Sequence, residues 1–325
     1  MYTPPRPSTM EHYLSVETLQ SRLDFLQEQH RVIEDPPTLP RSEDIRSAES
    51  CLPSLDSAEY LSSRPADAVV QHITRDIIPA LTGQGRSSRY YGFVTGGVLP
   101  LAEWADNIVS HMDQNVQVHL PNQTIATALE DKTLEMLAAL LRLGDGWKGR
   151  TLTTGATACN VLGLACGRES IVDRKAGGGS SGSVGELGLL GACLKAGVSE
   201  IQILTSAGHS SLSKAASIVG LGRQSVKELG VAGDQPWRLD IDAVEEHLKR
   251  PGTASIIAIS AGEVNTGRYA VQGIEEMKRL RALADKYGAW IHIDGGERSP
   301  PFLLSPSLLS SMCSNHQCSG ICQLN

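Results

Sequence analysis

Four short polar stretches carry the side chains of this sequence that could do chemistry, and each follows a run that reads as a β-strand. The first is Thr154-Gly155-Ala156-Thr157, where a helix is expected to open. Free backbone N–H groups at a helix start, with a hydroxyl beside them, suit a phosphate dianion. A plain helix cap would use the same residues. The second stretch is Gly208-His209-Ser210-Ser211, whose imidazole at a strand edge either stacks on a flat ring or hydrogen-bonds the next turn. The third is Glu263-Val264-Asn265-Thr266-Gly267, with polar groups able to meet a ring hydroxyl or a substrate. The fourth is Asp294, delivered by Ala289-Trp290-Ile291-His292-Ile293 and followed by Gly295 and Gly296. So apolar a run reads as a strand buried on both faces in a parallel sheet. In open α/β sheets ligands sit at the carboxyl ends of the strands. A carboxylate held there needs a cationic partner, because an unpaired buried charge is costly. Arg298 is close but not adjacent, so the partner expected is the protonated ring nitrogen of a bound cofactor.

The elements that must position these groups alternate between strand and helix. RTLTTGATACNVLGLACGRE reads as strand, glycine turn and helix, and EIQILTSAGHSS as a strand with its turn. LGLLGACLKAG and LSKAASIVGLG read as helices, with a short strand around SVKEL. RLDIDAVEEHLKR is a helix with Asp240 and Asp242 as candidate caps and basic residues at its end. ASIIAISAGEVNTG is a buried strand with a polar turn, VQGIEEMKRLRALADKYG a helix, and WIHID the last strand. Such alternation predicts a mostly parallel, helix-flanked sheet of the α/β class. GGGSSGSVG reads as a loop rather than a phosphate cradle, since no strand leads into it.

Upstream, AVVQHITRDIIPAL predicts a helix stopped near Pro79, and another is expected from about Pro100. Thr124 to Leu143 has the clearest helical period, with Ile125, Leu129, Met136, Leu137, Leu140 and Leu141 as an apolar stripe. A weaker amphipathic segment, VETLQSRLDFLQEQHRVIE, is ended by Pro36, Pro37 and Pro40, and the Ser-rich stretch to Arg64 reads as loop.

Bulk properties narrow the function classes. The 325-residue chain is 41% hydrophobic and 20% charged, with a formal charge of -7, which argues against nucleic acid as a partner. No run of apolar residues reaches membrane-spanning length, and the first residues lack the apolar core of a signal peptide. Seven cysteines without paired spacing fit reduced thiols in the cytoplasm.

Taken together, the four polar stretches resemble the pyridoxal-phosphate site of the aspartate aminotransferase superfamily (fold type I), and within it the group II decarboxylases. That group includes the aromatic amino acid, histidine and glutamate decarboxylases. The resemblance runs from about Arg89 to Gly296 and rests on YYGFVTGG, MDQN, TTGATACN, GHSSLSKAA and WIHIDGG in that order. It implies pyridoxal 5'-phosphate as cofactor, an amino acid as substrate and a homodimer as the assembly. Carried over by position, Gly155, Ala156 and Thr157 would hold the phosphate and His209 would stack over the pyridine ring. Asp294 would pair with the ring nitrogen, Thr266 would lie near the ring, and Gly296 would leave room beneath it. His209 and Asp294 would be the catalytic pair. Tyr91, Phe93 and His119 are candidates to line a substrate pocket. On this reading, 1–65 is an N-terminal arm, partly disordered, 66–296 an incomplete cofactor-binding large domain, and 297–325 an aberrant, disordered tail.

One departure stands out. The family holds its cofactor as a Schiff base on a lysine roughly thirty residues past the aspartate, and no residue after Lys286 is lysine here. The family's small C-terminal domain has no counterpart either. The expectation is a carboxy-lyase relative that is inactive as written, and the alternative is a non-catalytic, dimerising or partner-binding remnant. Cys313, His316, Cys318 and Cys322 lack C-x-x-C spacing, so no metal is expected. A nucleotide-binding dehydrogenase is disfavoured, because Ala158 and Cys159 stand where further glycines belong and no Tyr-x-x-x-Lys follows.

Overall fold

A computed structural model describes residue 27 and residues 36–295, apart from 58–59, 91–96, 142, 145, 179–182 and 263–265. Apart from residue 27, the amphipathic segment before Pro36 lies outside the described residues, as do Tyr91, Phe93, Gly296 and the cysteine-bearing end. Two compact units are present, Met1–Gln114 and Asn115–Asn325.

In the first unit, helix α1 spans Ser42–Cys51 and α2 spans Ala66–His72. The chain continues from α2 through a π turn, Ile73–Ile77, and a 3-10 turn, Ile78–Ala80, that contains Pro79. Helix α3 spans Pro100–His111, opened by a proline whose missing N–H a first turn does not need. The expected loop from Pro40 to Arg64 is corrected by α1. Glu43 and Asp44 sit in its first turn, where they favour the helix dipole, and the many serines had masked that signal.

The second unit is layered. Helices α4 (Ala126–Leu140), α5 (Ala156–Lys175) and α6 (Val184–Lys195) precede strand β1 (Glu200–Thr205). Then follow α7 (Ser210–Ile218), β2 (Val226–Glu228), α8 (Ile241–Leu248), β3 (Thr253–Ser260), α9 (Gly273–Tyr287) and β4 (Trp290–Asp294). The sheet order is β2-β1-β3-β4, and every pairing is parallel. All eight residues of β3 are buried, as a central strand covered on both faces requires.

Alternation along the strands divides the core in two. Ile203, Ile256, Ala258 and Trp290 pack with Leu164 and Ile171 of α5 and Leu212 and Ala216 of α7. Leu204, Ile257, Ile259, Ile291 and Ile293 pack with Val244 and Leu248 of α8 and Met277 and Leu280 of α9. Each fully buried isoleucine stabilises the fold by roughly 2 kcal/mol. Asp240 caps α8 by accepting from the N–H groups of Asp242 and Ala243, both at 3.0 Å, a contribution of about 1 kcal/mol.

Two local expectations are corrected. Residues 151–154 form no strand, so α5 is entered from an irregular segment. Helix α4 is present, but Ile125, Leu129, Met136 and Leu140 of its stripe are 74%, 62%, 67% and 59% exposed. Of the stripe, Leu141 is buried in the core as expected, and Ala138, outside the stripe, joins it there. No helix among the described residues is long and apolar enough to cross a membrane.

Candidate functional site

Strand order places the candidate residues. The chain leaves β1 for β2 on one side and returns to β3 on the other, with α7 on one face and α9 on the other. The loops after β1 and β3 therefore part, which is the switch-point geometry that opens a crevice at the carboxyl ends of a parallel sheet. Asp294 ends β4 in register with Ser260 of β3, and its carbonyl accepts from Ala261 N–H at 2.8 Å. His209 follows β1 and directly precedes α7.

Asn160 joins the two. It lies on α5 and is completely buried. Its Nδ2 donates to Asp294 Oδ2 at 3.0 Å and to Ser211 Oγ at 3.0 Å. Its Oδ1 accepts from His292 Nε2 at 2.7 Å. The Ser211 hydroxyl in turn meets His209 Nδ1 at 2.8 Å, and Ser211 N–H donates to the same nitrogen at 3.2 Å. An N–H can only donate, so His209 Nδ1 is an acceptor and the ring proton sits on Nε2. One continuous hydrogen-bonded path thus runs from β1 through α5 to β4.

His292 is fully enclosed. Burial pushes its imidazole below the ordinary histidine value, while the Asp294 carboxylate pulls the other way. The ring is neutral, with its one proton on Nε2 towards Asn160. Its Nδ1 has no hydrogen-bond partner among the described residues. It faces Gly163 of α5, where an added Cβ would stand 2.7 Å from Nδ1 and 2.5 Å from Cε1. Glycine at 163 is what lets the helix approach the ring.

The expected phosphate turn opens α5. Gly155 adopts φ 143° and ψ 172°, a conformation that L side chains rarely take, and α5 begins without a side-chain cap. A Cβ at Gly155 would meet nothing within 4 Å among the described residues, which leave the space over this helix start open. Thr157 is exposed and lies one turn before Asn160 on the same helix, while Ala156 is half-buried. At the end of β1, Thr205 Oγ1 and Ser206 Oγ are buried with no hydrogen-bond partner among the described residues. An open, uncapped helix start, unpartnered hydroxyls and an anchored carboxylate at one sheet edge suit a ligand with a phosphate at one end and a protonated ring nitrogen at the other.

The remaining candidates divide. Thr266 sits in an exposed turn after β3, where its Oγ1 accepts from Arg268 N–H at 3.3 Å. His119 is exposed and hydrogen-bonds Thr127 at 2.7 Å within its own segment. Lys286 pairs with Glu245 of α8 at 3.9 Å and is 62% exposed. Asn160, Ser211 and His292 lie within the quoted stretches, but the sequence reading gave them no role. Their signal was present: a polar residue one turn into an apolar helix, and a histidine two residues before Asp294 on the same strand face, each needing a partner once buried.

No protein-family model matches the chain. It is 27% identical over 173 residues to the L-2,4-diaminobutyrate decarboxylase of Acinetobacter baumannii, covering 51% of this chain and 32% of that protein. It is 24% identical over 310 residues to the aspartate 1-decarboxylase of Aliivibrio fischeri, covering 90% of this chain and 52% of that one. The chain thus spans about a third to a half of the length of these curated relatives. Among solved structures, the glutamate decarboxylase domain from Vibrio parahaemolyticus superposes with a TM-score of 0.67 at 19% identity, over 95% of this chain and 64% of that one. Oryza sativa TDC, solved with PLP and tryptamine, superposes with a TM-score of 0.62 at 19% identity, over 95% of this chain and 63% of that one. The homologues are decarboxylases of the group II pyridoxal-phosphate-dependent type, and the fold is theirs.

Proposed function

We propose that this chain, a relative of the group II decarboxylases, binds pyridoxal 5'-phosphate at the carboxyl edge of its sheet as part of an amino-acid carboxy-lyase framework. The observation that carries this reading is the path His209–Ser211–Asn160–Asp294, which ties two of the expected cofactor contacts into one unit. When bound, the cofactor supplies a protonated ring that accepts the electrons left at Cα when carbon dioxide departs. The chain's own residues do the rest. The first turn of α5, at Ala156 and Thr157, takes the phosphate on its N–H groups, and Gly155 keeps the approach open. His209 covers one ring face. Asp294 holds the proton on the ring nitrogen through charge and hydrogen bonding. Thr266 and Gly296 complete the ring's surroundings, as the resemblance implies.

The substrate proposed is an amino acid, and the setting is the cytoplasm, consistent with free thiols at Cys51, Cys159, Cys166 and Cys193. A protein of these 325 residues has no lysine after Lys286, so binding is proposed to be noncovalent and decarboxylation absent. Reduction with borohydride after incubation with pyridoxal phosphate, followed by peptide mapping, tests this. A single stoichiometrically labelled lysine would overturn it.

A second reading, a non-catalytic dimerising remnant, is favoured by the exposed apolar face of α4. The homodimer is proposed to cover that face. Sedimentation equilibrium of the wild type beside Leu129→Ser, read with a pyridoxal phosphate titration, distinguishes them: dimers weakened by the substitution in a protein that binds no cofactor support the second reading, and a wild-type monomer refutes it.

A further inference from the structure

We infer that Asn160 and His292 form a positioning pair, which aims the Asp294 carboxylate and turns the Ser211 hydroxyl proton towards His209 Nδ1. The inference rests on the cofactor-binding reading for its purpose, but its geometry stands in the protein alone. The argument starts at Gly163. With no Cβ there, the His292 ring lies against the backbone of α5, and nothing among the described residues donates to or accepts from its Nδ1. Burial keeps the ring neutral, so its only proton occupies Nε2 and can go only to Asn160 Oδ1, at 2.7 Å. An amide has one acceptor oxygen and two N–H groups. Once the oxygen is claimed by His292, both N–H groups must point the other way, and there they meet Asp294 Oδ2 and Ser211 Oγ.

Each bond constrains the next. Asp294 Oδ2 receives a donor from inside the protein, so the carboxylate presents its other oxygen, Oδ1, differently from Oδ2. Ser211 Oγ receives a donor from Asn160, so its own proton turns to His209 Nδ1, the nitrogen that Ser211 N–H already makes an acceptor. One buried amide on α5 thereby bonds the Asp294 carboxylate of β4 directly and reaches His209, in the turn after β1, through Ser211. A group held in this way by buried partners reacts without reorganising. Asn160 and His292 act through Asp294 and His209 and are positioning residues rather than catalytic ones.

The substitutions follow from the geometry. His292→Phe keeps the ring volume and removes the donor. His292→Gln returns a donor at the Nε2 position and serves as the rescue. Asn160→Leu keeps the volume and removes all three bonds. Pyridoxal 5'-phosphate carrying ¹⁵N in its ring is titrated into the full chain, and the ring-nitrogen chemical shift is read at saturation. The wild type is expected to show a protonated ring nitrogen. His292→Phe and Asn160→Leu are expected to shift the signal towards the unprotonated position and to weaken binding about tenfold, as for loss of a buried hydrogen bond to a charged group. His292→Gln is expected to restore both within about twofold. A variant that was merely less stable would leave the shift at saturation unchanged, and that result would overturn the inference.

Failure of the cofactor reading looks different. If the wild type binds no pyridoxal phosphate, that reading falls, and the pair is judged in the apo protein by ¹⁵N-histidine spectra. The wild type then shows His292 and His209 both protonated on Nε2. In Asn160→Leu, His292 loses the acceptor of its Nε2 proton and becomes a mixture of tautomers. A His292 tautomer that stays unchanged in that variant contradicts the pair.

Discussion

Two buried carboxamides, each beside a histidine, lie at different places in the same sheet and end differently. Gln202 of β1 is completely buried. It donates to the His247 carbonyl at 3.0 Å and to Ser255 Oγ at 2.9 Å, and accepts from His247 Nδ1 at 3.0 Å. His247 Nε2 then takes a bond from Arg250 at 3.2 Å. Among the described residues these bonds tie the end of α8 to β1 and β3 and lead no further. Asn160 has the same bonding capacity, yet its bonds lead to Asp294 and, through Ser211, to His209, both half-buried at the carboxyl edge. Tautomers differ as well: His247 carries its proton on Nδ1 and His292 on Nε2. A buried amide whose bonds close on themselves holds elements together, and one whose bonds emerge at an open edge aims groups at a ligand.

The largest effect that separates the two is expected at Gln202. Gln202→Met should lower unfolding stability by about 3 kcal/mol, because it strands the His247 N–H and the Ser255 hydroxyl. Pyridoxal phosphate affinity, read by absorbance titration, should stay within about twofold. A large loss of affinity would erase the distinction. Next comes Gly163→Ala. Alanine normally helps a helix by about 1 kcal/mol relative to glycine. Here the new Cβ collides with His292, and a net loss of roughly 2 kcal/mol is expected in denaturant titrations, together with weaker cofactor binding.

Acid provides a smaller test. Burial is the first cause lowering both imidazoles, joined at His247 by Arg250 and Lys227. The unfolded chain therefore binds protons that the folded one refuses. The stability contributed by the neutral rings is present above the unfolded value of about 6.5 and is lost as pH falls below it towards the depressed folded values. Denaturation midpoints at neutral and mildly acid pH should converge more in His292→Gln than in His247→Asn, since His292 is the more deeply buried. Smallest is Leu129→Ser on the exposed face of α4, expected to change the stability of the monomer by less than about 0.5 kcal/mol.

Legibility in the sequence followed the strength of the local signal. ASIIAIS and WIHID were readable as buried strands because a central parallel strand admits little except apolar residues. Asp240 was readable as a cap because a short acid before an amphipathic run has few other uses. The stretch at 151–154 misled, since Thr and Leu favour strands only where a neighbouring strand is available to pair with them. The stripe on α4 misled for a related reason: periodicity shows that a face is apolar but not what covers it. His209 and Asp294 were found as the ends of strands, but the residue joining them was not. Asn160 lies 134 residues from Asp294 and 51 from Ser211 in sequence, and no local pattern encodes those distances.

The central claim is that the start of α5 and the Asp294 edge hold a phosphorylated pyridine ring, and Thr157→Asp tests it most directly. Residue 157 is exposed, and an acid in the first turn of a helix is favourable to folding, so the variant should be at least as stable as the wild type. The account predicts saturable one-to-one binding of pyridoxal 5'-phosphate to the wild type, and a loss of roughly tenfold or more in the variant through repulsion of the phosphate. Equal affinity in the two proteins, or no saturable binding in either, would contradict it.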